Sequence, residues 1–196
     1  MMKNKVILTD CDGVLLDWEY AFHSWMYRHD YKKLHDDVYD MSIAYDMDKH
    51  EIKRLIRMFN ESASIRKLPP LRDAIKYVKK LHEEHGFIFH AITSLSKDQY
   101  AQHLRTKNLR ELFGSSAFEK YVYLDTGEDK DEILSEYYGT DCFWVEDKPE
   151  NAIEGLKNNL NSILMTHGHN DDFEHEDVTK VNNWKEIYEL LVNTSV

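Results

Sequence analysis

The stretch "VILTDCDGVL" (residues 6–15) decides the fold, because it joins a short apolar run to two aspartates and a glycine. Val6–Thr9 has the length and composition of a buried β-strand. Asp10 and Asp12 follow it directly. Two neighbouring carboxylates repel each other, so the pair is either solvated at the strand end or accompanied by a cation. This strand end is therefore the first candidate for a functional site.

Composition limits the classes of protein that this chain can represent. Its 196 residues predict one domain with room for a small inserted lobe, and the net charge is −11 with histidine neutral. That charge argues against a nucleic acid duplex or an anionic membrane as the main partner. An anionic substrate would need local positive charge or a metal ion in order to bind.

The cysteines and the N-terminus indicate the cellular compartment. Cys11 and Cys142 are the two cysteines, which give neither a disulfide framework nor zinc-ligand spacing. The first residues lack the apolar region of a signal peptide, and no later stretch predicts a membrane-spanning helix. We therefore expect a cytoplasmic protein without a membrane partner.

Strands and helices alternate from residue 69 onward. Pro69 and Pro70 predict a helix start, Gly86 predicts its end, Ser96 and Gln99 form a predicted capping box, and Pro149 opens a later helix. The predicted strands are 6–9, 87–93, 121–125, 142–147 and 162–165. This alternation predicts the α/β class, with a Rossmann-like parallel sheet flanked by helices on both faces.

Residues 17–66 are helical and interrupt that alternation. They predict a small helical cap inserted after the first strand, so that residues 1–16 and 67–196 form the Rossmann-like core. The first part of the cap, from Asp17 to Asp46, holds eight aromatic residues in thirty. We expect most of these rings to pack inside the cap and two or three to project toward the site, where aromatic rings can stack a nucleobase.

Polar side chains follow four predicted strands, where ligands of an open α/β sheet bind. They are Asp10 and Asp12 after strand one, Thr93 and Ser94 after strand two, Lys130 at the start of the helix after strand three, and Glu146 and Asp147 after strand four. Hard carboxylate ligands such as Asp10 and Asp147 suit Mg²⁺, which also bridges to a substrate phosphate. Hydroxyls and a lysine would hold phosphoryl oxygens.

These motifs, "DCDGVL", "AITSLS", Lys130 and "WVEDKPENA", resemble the four motifs of the haloacid dehalogenase-like (HAD) superfamily, in the same order. The resemblance implies a phosphatase rather than a dehalogenase, since the dehalogenases of this superfamily lack the second aspartate. More narrowly, the short cap and the "AITS" pattern are similar to 5′(3′)-deoxyribonucleotidases. A (deoxy)nucleoside monophosphate is therefore the leading candidate for the small phosphate ester.

The resemblance also implies a role for each matched residue. Asp10 would be the nucleophile and a Mg²⁺ ligand, and Asp12 the general acid/base, with its backbone carbonyl on the metal. Thr93, with or without Ser94, would bind the phosphate. Lys130 would bridge the nucleophile and the phosphate, and Asp147 would complete the metal ligands, with Glu146 beside it.

Several alternatives remain open at this point. Asp10 and Asp12 are also compatible with an Asx turn, and Lys97 or Lys148 could take the place of Lys130. The histidines of "THGHNDDFEHED" (residues 166–177) favour a mobile polar loop that borders the site over a transition-metal site.

The function also has alternatives. One is a non-catalytic HAD-like protein that binds a phosphorylated ligand. Others are a sugar-phosphate phosphatase and a phosphatase of proteins or polynucleotide ends.

Overall fold

The computed structural model describes residues 5–36 and 38–193, and its centre is a six-stranded parallel sheet. The strands are β1 (Val6–Thr9), β2 (Ile88–Ser94), β3 (Phe118–Leu124), β4 (Phe143–Glu146), β5 (Asn161–Met165) and β6 (Thr179–Val181). Their order across the sheet is β3-β2-β1-β4-β5-β6. The order reverses beside β1, which creates the crevice where ligands of doubly wound sheets bind. The predicted fold class is confirmed.

Eight α-helices surround or extend this sheet within the described residues. They are α1 (Trp18–Arg28), α2 (Met41–Ala44), α3 (Lys49–Asn60), α4 (Ala74–His85), α5 (Gln99–Phe113), α6 (Asp131–Ser135), α7 (Pro149–Lys157) and α8 (Trp184–Asn193). Two 3-10 turns, Ala63–Lys67 and Gly168–Asn170, complete the regular structure.

Alternating side chains of the strands are buried on opposite faces of the sheet. Ile7 belongs to a large apolar cluster that contains residues of α4, α5 and α8. Its neighbour Leu8 packs on the other face with Leu134 of α6 and Trp144. Because successive side chains of a strand point to opposite faces, this two-sided burial places helices on both faces of the sheet.

The cap elements α1, α2 and α3 lie between β1 and α4, as the sequence predicts. The two segments that join them to the sheet run side by side: Asp17 N–H donates to the Pro69 carbonyl at 2.9 Å, and Leu71 N–H donates to the Leu15 carbonyl at 2.8 Å. Phe22 and Phe59 of the cap belong to the same apolar cluster as Ile7. The division of the chain at residues 17 and 66 stays a prediction.

Three local predictions differ from the structure. Helix α4 begins at Ala74 rather than at the prolines, because Arg72 has a φ of +44° and interrupts any helix that starts there. The N-cap of α5 is Asp98, whose carboxylate accepts the Ala101 N–H at 2.7 Å, so Ser96 is not the capping residue. The three-residue strand β6 is additional to the five predicted strands.

The described helices are all too short or too polar to cross a bilayer. The predictions for the N-terminus and for the outer limits of the core concern, in part, residues 1–4 and 194–196, which lie outside the described residues.

Candidate active site

The predicted polar residues meet at the carboxyl edge of the sheet, around β1, β2 and β4. Pairing of β1 with β4 continues one residue beyond β1, since Asp10 N–H donates to the Val145 carbonyl at 2.9 Å. The chain then turns sharply, and the N–H groups of Leu15 and Leu16 both donate to the Cys11 carbonyl at 2.8 Å. The sheet thus fixes the backbone of Asp10, and the turn holds Asp12 just beyond it.

Lys130 is buried between two carboxylates at this edge. Its Nζ lies 2.9 Å from Asp10 Oδ2 and 2.6 Å from Glu146 Oε2, and its side chain is 3% exposed. Burial alone would lower the pKa of Lys130, but the two carboxylates raise it above its ordinary value. The two carboxylates therefore favour the protonated form of Lys130. Of the other two candidate lysines, Lys97 pairs with Glu128, and the Nζ of Lys148 lies 5.9 Å from the centre of the Tyr39 ring.

Asp10, Glu146 and Asp147 form a cluster in which one oxygen of each lies within 4.8 Å of the others. Burial raises the pKa of Asp10 to about 6, although Lys130 opposes the shift. Burial and then the charge of Asp10 raise the pKa of Asp147 to about 6. The negative charges in this cluster exceed the single ammonium of Lys130, so the chemistry of the donor set fits a divalent cation with oxygen ligands.

The hydrogen bonds of Glu146 separate it from the other two acids. Its Oε1 accepts the N–H groups of Asp147 and Lys148, at 3.0 and 3.2 Å. Its Oε2 accepts from Lys130 and from Asn151 Nδ2, the latter at 3.1 Å. Both oxygens therefore already have two donors, and the oxygens of Asp10 and Asp147 are better suited to a cation.

Gly13 allows the turn after β1 to approach Asp147 closely. Its φ is +73°, and a Cβ at this position would lie 2.3 Å from Asp147 Oδ2. Glycine tolerates both the positive φ and the contact, which a side chain would not. Gly13 is thus required for two reasons: the positive φ of the turn after β1, and the close approach of this turn to Asp147 after β4.

The two candidate hydroxyls after β2 are in different states. Ser94 Oγ donates to the Glu128 carbonyl at 2.8 Å, so it is already used to hold the following loop. Thr93 is 1% exposed, and its Oγ1 has no hydrogen-bond partner among the described residues. A buried hydroxyl without a partner is costly. This atom is therefore the one that is available for a phosphoryl oxygen.

Asp12 makes a contact that the strand-end pattern does not predict. Its carboxylate lies against Arg105 of α5, with Oδ1 at 2.7 Å from Nη1 and Oδ2 at 3.3 Å from Nη2. The Arg105 side chain is completely buried. The sequence carries a signal for it, because Arg105 and Asn108 are polar residues on the face of α5 that also buries Ala101, Leu104 and Leu109.

The loop after β5 borders the site, as predicted. His167 Nε2 lies 2.6 Å from the Gly13 carbonyl, and His169 Nε2 lies 3.1 Å from the Asp147 carbonyl. Asn170 is buried and donates to the Asp147 carbonyl at 2.7 Å. These hydrogen bonds connect the first part of the loop to Gly13 and Asp147. The mobility of the loop stays a prediction. The described residues include no metal-ligand group that contains histidine.

Among the cap aromatics, some rings are packed inside the cap and one contacts the loop that follows β5. Phe22, Trp25 and Tyr45 are buried inside the cap. The Tyr39 ring, by contrast, lies 4.2 Å from the ring of His169, centre to centre. Tyr39 is thus the cap aromatic that contacts the loop bordering Asp147.

A hydrogen-bonded chain joins the cap to the loop that follows β2. Trp18 Nε1 donates to Asn60 Oδ1 at 2.9 Å, and Asn60 Nδ2 donates to the Leu95 carbonyl at 3.1 Å. Leu95 comes two residues after Thr93, so the cap contacts the strand end that carries the unpartnered hydroxyl.

Comparisons with known proteins agree with this geometry. Residues 4–196 match the model of a family described as "5′ nucleotidase, deoxy (Pyrimidine), cytosolic type C protein". An uncharacterized 32.4 kDa protein of Enterobacteria phage T4 is 29% identical over 147 residues, which cover 70% of this chain and 52% of that protein. The chain therefore matches about half the length of this relative.

The solved structures that resemble this chain share its fold at low sequence identity. A HAD-like hydrolase from Streptococcus pneumoniae has a TM-score of 0.64 and 13% identity, over 97% of this chain and 100% of that one. A D,D-heptose 1,7-bisphosphate phosphatase from Burkholderia thailandensis has a TM-score of 0.59 and 9% identity, over 96% and 99%. These structures confirm the HAD-like fold.

The pair of Asp12 and Arg105 predicts a clear effect on stability. In Asp12→Asn, the buried guanidinium of Arg105 loses its carboxylate partner, and an unpaired buried charge is strongly destabilising. We expect the free energy of unfolding, measured by urea titration, to fall by about 3 kcal/mol. Adding Arg105→Met to the same chain removes the buried charge and should recover part of this loss. A double variant less stable than Asp12→Asn would contradict this account.

Proposed function

The chain belongs to the family of deoxy (pyrimidine) 5′ nucleotidases of cytosolic type C, and on this premise we propose that it is a Mg²⁺-dependent phosphomonoesterase. The proposed substrate is a (deoxy)nucleoside monophosphate, and the proposed route passes through an aspartyl-phosphate on Asp10. The observation that carries the proposal is the buried Asp10–Lys130–Glu146 network beside Asp147.

Charge balance supports a divalent cation in this site. One buried ammonium faces three buried carboxylates, so a phosphate dianion would meet net negative charge without a further cation. We assign Asp10, Asp147 and the backbone carbonyl of Asp12 as the residues that would hold Mg²⁺. When bound, the ion would neutralise charge on the phosphate and on the carboxylates.

Asp10 is suited to act as the nucleophile. Its Oδ1 accepts the Cys11 N–H at 2.7 Å and its Oδ2 contacts Lys130, so the carboxylate is held in one orientation. Attack by a carboxylate oxygen would form a bond to phosphorus while the bond to the ester oxygen breaks. Lys130 and the Thr93 hydroxyl would hold the phosphoryl oxygens, whose charge must be stabilised throughout.

Asp12 would carry the proton in both halves of the reaction. It would donate a proton to the departing ester oxygen, and it would then take one from the water that attacks the aspartyl-phosphate. A protein that only binds a phosphorylated ligand does not need a proton donor beside the nucleophile. The pair therefore favours a phosphatase over a non-catalytic binding protein.

The experiment that tests this function is phosphate release from a panel of nucleoside monophosphates and sugar phosphates, with Mg²⁺ or with EDTA. We expect Mg²⁺-dependent release, with a deoxynucleoside monophosphate preferred, because the cap can contribute aromatic stacking to a base. Asp10→Asn should lower kcat at least about 1,000-fold, since it removes the proposed nucleophile. The exposed variant Asp172→Asn serves as the control.

The outcomes of this panel are distinct. A sugar phosphate preferred over every nucleotide would replace the proposed substrate and leave the reaction intact. Release that persists in Asp10→Asn would contradict the aspartyl-phosphate route. No release from any ester by the folded wild-type protein would favour the binding role.

Mg²⁺ should also stabilise the fold, and more at pH 7.5 than at pH 5. The pKa values of Asp10 and Asp147 are raised from 3.8 to about 6, so the folded protein binds more protons than the unfolded chain between these values. Without metal, stability therefore falls as the pH rises through this window. A cation binds the deprotonated carboxylates. Above this pH window, Mg²⁺ binding should therefore offset the stability that is lost when Asp10 and Asp147 ionise.

Thermal and urea unfolding with and without Mg²⁺ measure this effect. At a concentration 100 times its Kd, Mg²⁺ should add about 2.7 kcal/mol at pH 7.5. Asp147→Asn should abolish most of this gain. An equal gain at both pH values, or in the variant, would place the ion elsewhere.

Tyr39 is the cap aromatic that we propose as a contact for the nucleobase. Tyr39→Ala should raise KM for the preferred nucleotide about 5- to 30-fold, because one base–aromatic stack contributes about 1–3 kcal/mol. The KM for glycerol phosphate, an ester without an aromatic ring, should change much less. Tyr20→Ala, a change at an exposed cap tyrosine, is the matched control. Equal changes for both esters would exclude a base-stacking role.

A further inference from the structure

We propose that Arg105 is a positioning residue for proton transfer: it holds the Asp12 carboxylate in the orientation from which Asp12 protonates the departing ester oxygen. This inference rests on the proposed phosphatase function. It concerns a residue on a core helix that lies outside the four strand-end motifs.

The contacts of Arg105 support a positioning role. Both oxygens of Asp12 face the two terminal nitrogens of the guanidinium, at 2.7 and 3.3 Å. A planar guanidinium that binds both oxygens fixes the plane of the carboxylate as well as its position. Among the described residues, Asp12 is the one acidic partner of Arg105, and Arg105 Nε is buried without a hydrogen-bond partner. Within the described residues, the hydrogen bonds of the Arg105 guanidinium are thus those with the Asp12 carboxylate.

The helix that carries Arg105 is itself well fixed. Asp98 caps the N-terminus of α5, and Leu104 and Leu109 pack into the main apolar cluster. Asp12 is partly accessible, with 22% of its side chain exposed, so its carboxylate can face a substrate while Arg105 holds it from behind.

Orientation matters for the first chemical step. As Asp10 forms its bond to phosphorus, the ester oxygen leaves with the electron pair of the breaking bond. It takes the proton of the neutral carboxyl form of Asp12, which becomes a carboxylate held by the Arg105 guanidinium. A positioned general acid contributes roughly 100- to 10,000-fold to such a step. An alkoxide or ribose oxygen needs this proton, whereas p-nitrophenolate is stable enough to leave without it.

The test is the leaving-group dependence of Arg105→Lys. Lysine keeps the positive charge but cannot bind both carboxylate oxygens in one plane. We expect kcat/KM to fall roughly 30- to 100-fold for a nucleoside monophosphate and less than about 3-fold for p-nitrophenyl phosphate. Because kcat/KM reports the steps up to phosphoryl transfer, later hydrolysis of the aspartyl-phosphate does not obscure the comparison. Arg110→Lys, on the exposed side of the same helix, is the matched control.

A double-mutant cycle tests whether Arg105 acts through Asp12. If it does, Arg105→Lys should cause no further loss of kcat/KM in the Asp12→Asn background. Circular dichroism verifies that each variant is folded. The pair can also be observed without changing Arg105: its Nη groups should rotate slowly by ¹⁵N NMR in the wild-type protein, and fast in Asp12→Asn.

The results that overturn the inference are distinct from failure of the proposed function. An equal loss for both esters, a loss that persists in Asp12→Asn, or fast Nη rotation in the wild-type protein would each refute the positioning role while the phosphatase remains. If the folded wild-type protein releases phosphate from neither ester, the proposed function fails and the positioning role fails with it.

Discussion

The buried ammonium of Lys130 is the interaction on which the rest of the site depends. It lies between Asp10 and Glu146, and removing it would leave two buried carboxylates without their cation. Glu146 in turn accepts the N–H groups that shape the turn after β4, so the same carboxylate positions Asp147. Lys130 therefore holds together the ends of β1 and β4, through Asp10 and Glu146. Because it neutralises only part of the charge there, the folded chain retains a local excess of negative charge that a cation would relieve.

Much of the site could be predicted because its chemistry lies at strand ends. Asp10, Asp147 and Lys130 each directly follow or closely succeed an apolar strand, so the topology of a parallel sheet brings them together. The choice between Thr93 and Ser94 could not be made from sequence, since it depends on a carbonyl 34 residues away from Ser94. Arg105 was not predicted, because its partner is 93 residues distant and its helix was predicted only from a capping box at its start.

The fold was predictable where periodicity and length agree. Strands β1, β2 and β4 appear close to their predicted positions, and helices α1 and α3 lie within residues 17–66, which are predicted to be helical. Strand β6 has only three residues, Thr179–Val181, which is too short to carry an alternating pattern. The predicted start of α4 at the prolines is wrong because Arg72 has a backbone φ of +44°. A positive φ is uncommon for arginine, so the sequence gives no reason to expect it. Asp98 rather than Ser96 caps α5, a choice between two good capping residues that only the path of the chain decides.

The side-by-side pairing of the two cap connections has a consequence for how substrate preference can be altered. Because backbone hydrogen bonds join Leu15 to Leu71 and Asp17 to Pro69, the inserted segment begins and ends at the same place on the core. The entropy of closing such a loop grows only slowly with its length, so caps of different size could be grafted between these points at small cost. The transplanted segment would have to replace two things: the apolar surface of Phe22 and Phe59, and the amide of Asn60 that donates to Leu95. The same core could in this way carry different caps, each giving a different substrate preference.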